Sequence, residues 1–576
     1  MRTYPGGPLH PVPPILNIPG AIRESARRLP DKTAVLEPAE PGHFRSVTYG
    51  QLQNNIDWMA KGLLEKHPKP VVAVAGDNSI QWYTTYLAVI RAGGIIVPID
   101  RELPPSDMRT IVHYSGANMA VHDSRFMDVF SGIKGVTNYA MNMGGMNIPR
   151  HMTDLIRAGR DSGMELPDSY DVTAPAAICY TSGTTGMAKG VVLSQENLVS
   201  DLRQVIALIR IEKDDIFLSV LPVHHSYECT CGFLLPMVMG NTIAIAHGLR
   251  YVVDDLVATK ATVVIGVPLL WEKMYGRIMT NIRTAPGGSV KYRVGTTLSG
   301  IGEFFGAKNL RKKLFSQVHQ RFGGALRLFV SGGAGIDPDV IRGFQKLGFI
   351  ILEGYGLTET APIVTVNRDR ACRPGSVGVV LPECDVRIEE PDETGIGEIL
   401  VRGPNVMLGY HNNPEATAEV LSPDGWFHTG DYGRLDRDGF LYITGRKKNV
   451  IIAKNGKNVY PEELETVLNR NPHVNECMVF GRQTEARGEE IWAVVVPNRD
   501  LLIEEAEKEG RKITPEDEVS AVRKAIRRYN DSAPQFMRIA GFIISEEDLP
   551  KTTTKKTKRN EALKAVGFAP SNVYRP

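Results

Sequence analysis

Ala176-Ala177-Ile178-Cys179-Tyr180, followed by Thr181-Ser182-Gly183-Thr184-Thr185-Gly186-Met187-Ala188-Lys189-Gly190 and then Val191-Val192-Leu193, is the stretch that decides the fold. Two apolar runs of strand length flank a polar loop. A loop between strands exposes backbone N–H groups, and its glycines permit positive φ and close approach to a ligand. The hydroxyls of Thr181, Ser182, Thr184 and Thr185 add donors, and Lys189 adds a mobile positive charge. That set suits a polyphosphate. It is not a Walker A loop. The GxxxxGK[ST] spacing is absent, and strand–loop–strand replaces strand–loop–helix.

Outward from this loop, short apolar strands alternate with helical patterns. Val71 to Ala75 reads as a buried strand, Trp82 to Ile90 as the helix after it, and Gly94 to Pro98 as the next strand. Thr262 to Gly266 and Leu326 to Val330 repeat the theme. This is the pattern of an α/β protein with largely parallel sheets. A turn-forming cluster at Asp436-Arg437-Asp438-Gly439 marks a boundary. Beyond it a smaller α/β unit is predicted, with strands at 440–444, 450–453, 474–480 and 491–496. Helices are predicted to start at Pro461-Glu462-Glu463 and, through a capping box, at Thr514-Pro515-Glu516-Asp517. The expected organisation is a proline-rich arm over 1–20, extended on the surface, a large domain over 21–447 and a small domain over 448–576.

Composition restricts the partners. With 576 residues the chain is too long for one core. Its 67 basic and 65 acidic residues leave a formal charge of +2, so no global field favours nucleic acid, despite the basic tail Lys551 to Lys558. Six scattered cysteines form no CxxC pair, which points to a reduced, cytoplasmic compartment. Cys229 and Cys231 read as core residues. The longest apolar run, Gly232 to Ala246, is broken by Pro236, Gly240 and Asn241 and is too short to span a bilayer. Peripheral contact with a membrane is left open.

Further motifs follow in order: Leu221-Pro222-Val223-His224-His225-Ser226-Tyr227-Glu228, Ser331-Gly332-Gly333-Ala334, Glu353-Gly354-Tyr355-Gly356-Leu357-Thr358-Glu359-Thr360, Trp426-Phe427-His428-Thr429-Gly430-Asp431, Tyr442-Ile443-Thr444-Gly445-Arg446-Lys447-Lys448, and Leu549-Pro550-Lys551-Thr552-Thr553-Thr554-Lys555-Lys556. Taken alone, a histidine pair or a Gly-rich turn is usually structural. Together with the phosphate loop they resemble the adenylate-forming superfamily of acyl-CoA synthetases, luciferases and peptide-synthetase adenylation domains. Through His224 to Glu228 and Asn458-Val459-Tyr460-Pro461 the sequence looks closest to the long-chain fatty acid CoA ligases.

The resemblance implies a large N-terminal domain of stacked, largely parallel sheets and a small mobile C-terminal domain. It implies that Thr181 to Gly186 and Lys189 hold ATP phosphates, that Gly332, Gly333 and Ala334 with Glu353, Gly354 and Gly356 line the adenine, and that Tyr355 stacks on it. Thr358 would contact phosphate, Glu359 would hold magnesium, Asp431 would accept from the ribose hydroxyls, and Arg446 would meet ribose or phosphate oxygens. His225 would lie at the acyl pocket, Lys448 at a hinge, and Gly456 beside the pantetheine arm of coenzyme A. Aligned from Pro550, the catalytic lysine is Lys556, with Lys555 where the family has glycine. The implied chemistry is ATP-dependent conversion of a carboxylic acid to acyl-AMP and pyrophosphate, then acyl transfer to a thiol. The expected substrate is a fatty acid and the expected acceptor is CoA. The phosphopantetheine of an acyl carrier protein is the alternative acceptor, and a non-catalytic nucleotide-binding scaffold the remote alternative. Retention of Lys189, Glu359, Asp431, Arg446 and Lys556 argues against the scaffold. Chain length of the acid and oligomeric state are not legible.

Overall fold

The computed structural model describes residues 4–40, 42–143, 148–181, 188–304, 310–483, 489–552, 557–567 and 572–576, the side chains of 299 and 301–304 excepted. Ser182, Gly183, Thr184, Thr185, Gly186 and Lys556 lie outside them. Contacts divide the chain into two units. The first comprises 1–386, 400–428 and 436–441; the second comprises 387–399, 429–435 and 442–576.

The first unit carries two large sheets. One has seven strands in the order Gly409–Tyr410, Lys189–Ser194, Pro175–Thr181, Ile95–Ile99, Val71–Ala75, Met119–His122, Thr137–Ala140. Pairing is parallel from Pro175–Thr181 outward to Thr137–Ala140, and antiparallel where Lys189–Ser194 returns from the polar loop. The other has nine strands in the order Val379–Val380, Ile363–Val366, Ile350–Gly356, Leu328–Ser331, Val263–Gly266, Ile216–Ser219, Thr242–Ile245, Thr33–Glu40, His43–Thr48. Its six central strands also run parallel. Strands such as Val71–Ala75 and Val263–Gly266 are apolar throughout because helices cover both faces of a parallel sheet. The predicted helix after Val71–Ala75 spans Ile80–Arg91, with Ser79 as its N-cap.

The second unit packs helices Pro461–Leu468 and Pro515–Ser532 on a four-stranded sheet ordered Val474–Gln483, Glu489–Pro497, Gly541–Ile544, Val573–Tyr574. The capping box read at Thr514 forms, with Thr514 and Asp517 exchanging hydrogen bonds at 3.3 and 2.8 Å.

The proline-rich arm, read as extended on the surface, is tied to the body along its length. The guanidinium of Arg368, 1 % exposed, donates to the carbonyls of Pro5, Gly7 and Pro8 at 2.7 to 2.9 Å. Ile15 is buried, and Pro19 already lies in the helix Ile18–Arg28. A buried guanidinium needs acceptors, and arm carbonyls that no sheet claims supply them. Cys229 and Cys231 are core residues as read, and all six cysteines are free. Among the described residues no helix is long and apolar enough to cross a membrane.

Candidate active site

Thr181 ends the strand Pro175–Thr181 and sits in register opposite Lys189, so the two strands deliver both ends of the phosphate loop to one edge. Thr181 Oγ1 donates to the Lys189 carbonyl at 3.4 Å. The Lys189 ammonium lies 4.9 Å from the centroid of the Tyr410 ring, a cation–π contact. The Tyr410 hydroxyl donates to Glu359 Oε1 at 3.0 Å. Lys189, Tyr410 and Glu359 thus form one row, from the cation read as a phosphate ligand to the acid read as a metal ligand. Burial, reinforced by the Glu359 charge, pushes the Tyr410 phenol far above its ordinary range, so it stays a donor. Main-chain bonds pin the segment: Met407 N–H to the Glu359 carbonyl at 2.8 Å and His411 N–H to the Gly190 carbonyl at 2.7 Å. Sequence reading missed Tyr410. Its only signal was an aromatic residue on the short strand Gly409–Tyr410.

Glu353, Gly354, Tyr355 and Gly356 occupy the end of the strand Ile350–Gly356, and Thr358 and Glu359 the single 3₁₀ turn after it. Thr358 Oγ1 lies 3.1 Å from Ser226 Oγ, which joins this turn to the histidine-bearing segment. Glu353 is 3 % exposed and accepts the Ile336 N–H at 3.1 Å. It thereby holds the turn that contains Gly332, Gly333 and Ala334. Burial raises its carboxyl to about 8. Gly332 must be glycine: a Cβ there would lie 2.8 Å from the Tyr227 ring, whose hydroxyl donates to the Val330 carbonyl at 3.3 Å.

Beyond His225, the segment enters a π-helical turn, Glu228–Leu234, which runs into the helix Leu235–Met239. Asp100, His224 and His225 bring ligand atoms within 4.8 Å of one another, with His224 Nε2 3.2 Å from Asp100 Oδ1. Burial would raise the Asp100 carboxyl, but the His224 contact outweighs it and holds the group below its ordinary range. Glu228 is fully buried and accepts from Ser219 Oγ at 2.6 Å; burial lifts its carboxyl to about 8. Tyr227, Cys231 and Leu235 of this segment, with Val330, Gly354 and Ile363, wall a small apolar cavity that no charged residue lines.

In the second unit, Asp431 and Arg446 lie on adjacent strands, Phe427–Leu435 and Leu441–Arg446. Arg446 Nε meets Asp431 Oδ1 at 2.8 Å. Asp431 is 3 % exposed, so this guanidinium gives a nearly buried carboxylate a charged partner and fixes its direction. Lys448 falls in the 3₁₀ turn Lys447–Asn449 directly after Arg446. Gly456, at φ +79°, turns the hairpin between Ile451–Ile452 and Asn458–Val459; that left-handed conformation favours glycine. Around Lys556 the flanks are paired: Lys551 and Thr557 form an antiparallel bridge, and Lys551 Nζ meets Glu476 at 2.5 Å.

A strand–loop–strand phosphate motif on one of two stacked parallel sheets, an acid held beside it, and a separate α/β unit carrying an Asp–Arg pair define an adenylate-forming enzyme. The comparisons agree. The family described as AMP-binding enzyme matches residues 22–411, and the AMP-binding enzyme C-terminal domain matches 463–556. The chain belongs to this family. It is 30% identical to a long-chain-fatty-acid–CoA ligase of Yersinia pestis, covering 94% of this chain and 92% of the relative. It is 29% identical to an indoleacetate–CoA ligase of Aromatoleum aromaticum over 93% of this chain and 96% of the relative. It is 26% identical to a chloroplastic long-chain-fatty-acid–acyl-carrier-protein ligase of Arabidopsis thaliana over 89% and 80%. ATP-bound MatB of Rhodopseudomonas palustris superimposes with a TM-score of 0.76 at 26% identity, over 96% of this chain and 99% of that one. The protein is an AMP-forming acid–CoA ligase that works with ATP and CoA.

Proposed function

We propose that the acid activated is a fatty acid and that the acceptor is the thiol of CoA. The observation that carries the substrate is the uncharged cavity beside Tyr227 and Gly354. An alkyl chain loses nothing by entering such a space, whereas a second carboxylate would be desolvated there without a partner. The relatives named for long-chain fatty acids point the same way. The Arabidopsis relative named for a carrier-protein acceptor supports a second reading, in which the thiol belongs to an acyl carrier protein.

A carboxylate is a poor acyl donor because its leaving group would be oxide. Attack on the α-phosphorus of ATP turns that oxygen into part of a phosphate ester and expels pyrophosphate; a thiol then displaces AMP. In this reading the chain positions two anions and offsets their repulsion. Thr181 to Gly186 and Lys189 take the β and γ phosphates. Glu359, a hard oxygen ligand held by Tyr410, fits magnesium, which when bound neutralises phosphate oxygens. Thr358 donates to phosphate, Tyr355 stacks on adenine, and Gly332, Gly333, Ala334, Glu353, Gly354 and Gly356 shape the adenine site. Asp431 and Arg446 hold the ribose end. His225 borders the acyl carboxylate, and Lys556 bridges it to the α-phosphate. Movement of 448–576 against 21–447 at Lys448 then separates the half-reactions and presents Gly456 to pantetheine.

The decisive experiment is mass spectrometry of products from a panel of aliphatic, aromatic and dicarboxylic acids, with ATP and with CoA or holo-carrier protein. Fatty acyl-CoA as the dominant product is expected. Preference for an aromatic or dicarboxylic acid overturns the substrate assignment, and product on the carrier protein alone overturns the acceptor.

A further inference from the structure

A carboxylate and two imidazoles converge where two segments of the first unit meet. Asp100 directly follows the strand Ile95–Ile99. The neighbouring strand Val71–Ala75 ends level with it, in the register Ala75 to Ile99, and the chain then runs on to Asn78. The Asn78 amide donates to the Leu221 carbonyl at 2.8 Å and accepts the Val223 N–H at 2.9 Å. It thereby clamps the histidine segment onto the edge that carries Asp100. The next turn closes with the His225 N–H on the Pro222 carbonyl at 3.1 Å, and the Cys229 N–H bonds back to the His225 carbonyl at 2.9 Å. That turn sets the imidazoles of His224 and His225 side by side, with ring centroids 4.2 Å apart.

His224 Nε2 lies 3.2 Å from Asp100 Oδ1, and one ligand atom from each of the three residues lies within 4.8 Å of the others. On a tetrahedral Zn²⁺ with bonds of roughly 2.0–2.2 Å, two ligand atoms stand about 3.4 Å apart. The Asp100–His224 pair has that spacing already. The third donor needs a shift of at most about 1.5 Å to match it, which a small side-chain rotation supplies. The Glu102 N–H donates to Asp100 Oδ1 at 2.9 Å, the kind of outer contact that orients a ligating carboxylate. The His224 side chain is 4 % exposed and that of Asp100 20 %, so the donors line a recess that still opens to solvent. An Asp–His contact alone is an ordinary ion pair. A second imidazole beside it makes a mixed N/O set that suits zinc and leaves a fourth position open. Magnesium, which takes oxygen ligands, is poorly served by two imidazoles.

We propose that Asp100, His224 and His225 form a Zn²⁺ site, and that the bound ion inhibits the ligase by taking His225 away from the acid substrate. The site stands on the three donors; the inhibition rests on the placement of His225 beside the acyl carboxylate proposed above. The test is equilibrium dialysis of the full chain against zinc chloride with the bound metal counted by atomic emission, in parallel with pyrophosphate release at saturating Mg²⁺. Wild type is expected to hold one more zinc than either Asp100→Asn or His224→Gln. Loss of a ligand costs more than the roughly 10–100-fold of an outer contact, so half-saturation should rise at least about 100-fold in each variant. Zinc should raise the wild-type KM for the acid and leave that for ATP unchanged, and a chelator selective for zinc over magnesium should reverse the effect. The zinc concentration for half-inhibition should rise in both variants by the same factor as half-saturation. Circular dichroism and melting temperature establish that the variants fold, and each rate is compared with the same variant's metal-free rate. Equal zinc content in wild type and folded variants, or none in any of them, overturns the site. Zinc held by wild type alone but without inhibition overturns the inhibitory role, and with it the placement of His225 beside the carboxylate. Equal inhibition of wild type and variants also overturns that role, since zinc would then be acting on the nucleotide.

Discussion

Tyr410→Phe isolates the row that links Lys189 to Glu359. The substitution keeps the ring under the Lys189 ammonium at 4.9 Å and deletes only the hydroxyl that donates to Glu359 at 3.0 Å. A hydrogen bond to a charged group contributes about 1.5–3 kcal/mol, or about one to two decades at 1.4 kcal/mol per decade. Glu359 is only half-buried, so water replaces part of the loss and the lower end applies. The expected result is a roughly tenfold rise in the magnesium concentration needed for half-maximal pyrophosphate release, with maximal rate little changed at saturating metal. Tyr410→Leu removes the ring as well. The cation–π contact is worth about 0.5–1 kcal/mol at exposed sites, so a further two- to five-fold weakening is expected, this time in KM for ATP. Pyrophosphate release across a magnesium titration, repeated across an ATP titration, separates the two effects. An unchanged magnesium dependence in folded Tyr410→Phe refutes the assignment of Glu359 as the metal ligand oriented by Tyr410. Equal effects of Phe and Leu refute the separate role of the ring.

Lys556→Ala should lose about two to three decades or more of acyl-AMP formation, the scale of one preorganised electrostatic group, yet still convert supplied acyl-AMP and CoA; normal pyrophosphate release would shift the register to Lys555. Asp431→Ala should weaken ATP binding by about 1.5–3 kcal/mol for each charge-assisted bond lost, measured by calorimetry on folded protein; unchanged affinity removes Asp431 from the site. Lys448→Pro, which fixes φ near −65°, should leave acyl-AMP formation and abolish thiol transfer; parallel loss of both, or of neither, refutes the hinge. Glu353 and Glu228 are both raised to about 8 by burial, so the folded state binds protons that the unfolded state releases. That stability is complete below an unfolded pKa near 4.5 and is lost as pH rises through about 8. Melting temperature should therefore fall from pH 5 to pH 8.5, and Glu228→Gln should flatten the slope; a flat wild-type profile refutes it.

The sequence was sufficient wherever the chemistry is local. A strand, a Gly/Thr loop and a returning strand are contiguous, so the antiparallel return of Lys189–Ser194 beside Pro175–Thr181 could be read from one stretch. Caps are local too, which is why Thr514 and Pro461 mark helix starts correctly. The motif roles, by contrast, came from resemblance. No periodicity distinguishes Asp431 from a surface acid.

Tertiary structure alone decided what joins distant segments. Tyr410 donates to an acid 51 positions earlier and covers a lysine on another strand, a pairing no window of sequence contains. Arg368 looks like one more surface cation until its guanidinium is found buried, tying down an arm some 360 residues away. Glu353 reads as a residue of the adenine motif; packed, it is a largely protonated support for the Ile336 backbone. The exposed stripe at Val290, Val294 and Leu298 has the spacing of a core face, and only the placement of Tyr292 against Phe315 shows that it points outward. Periodicity specifies that a helix has an apolar side. Which side the body covers is set by the shapes and partners that folding brings to it.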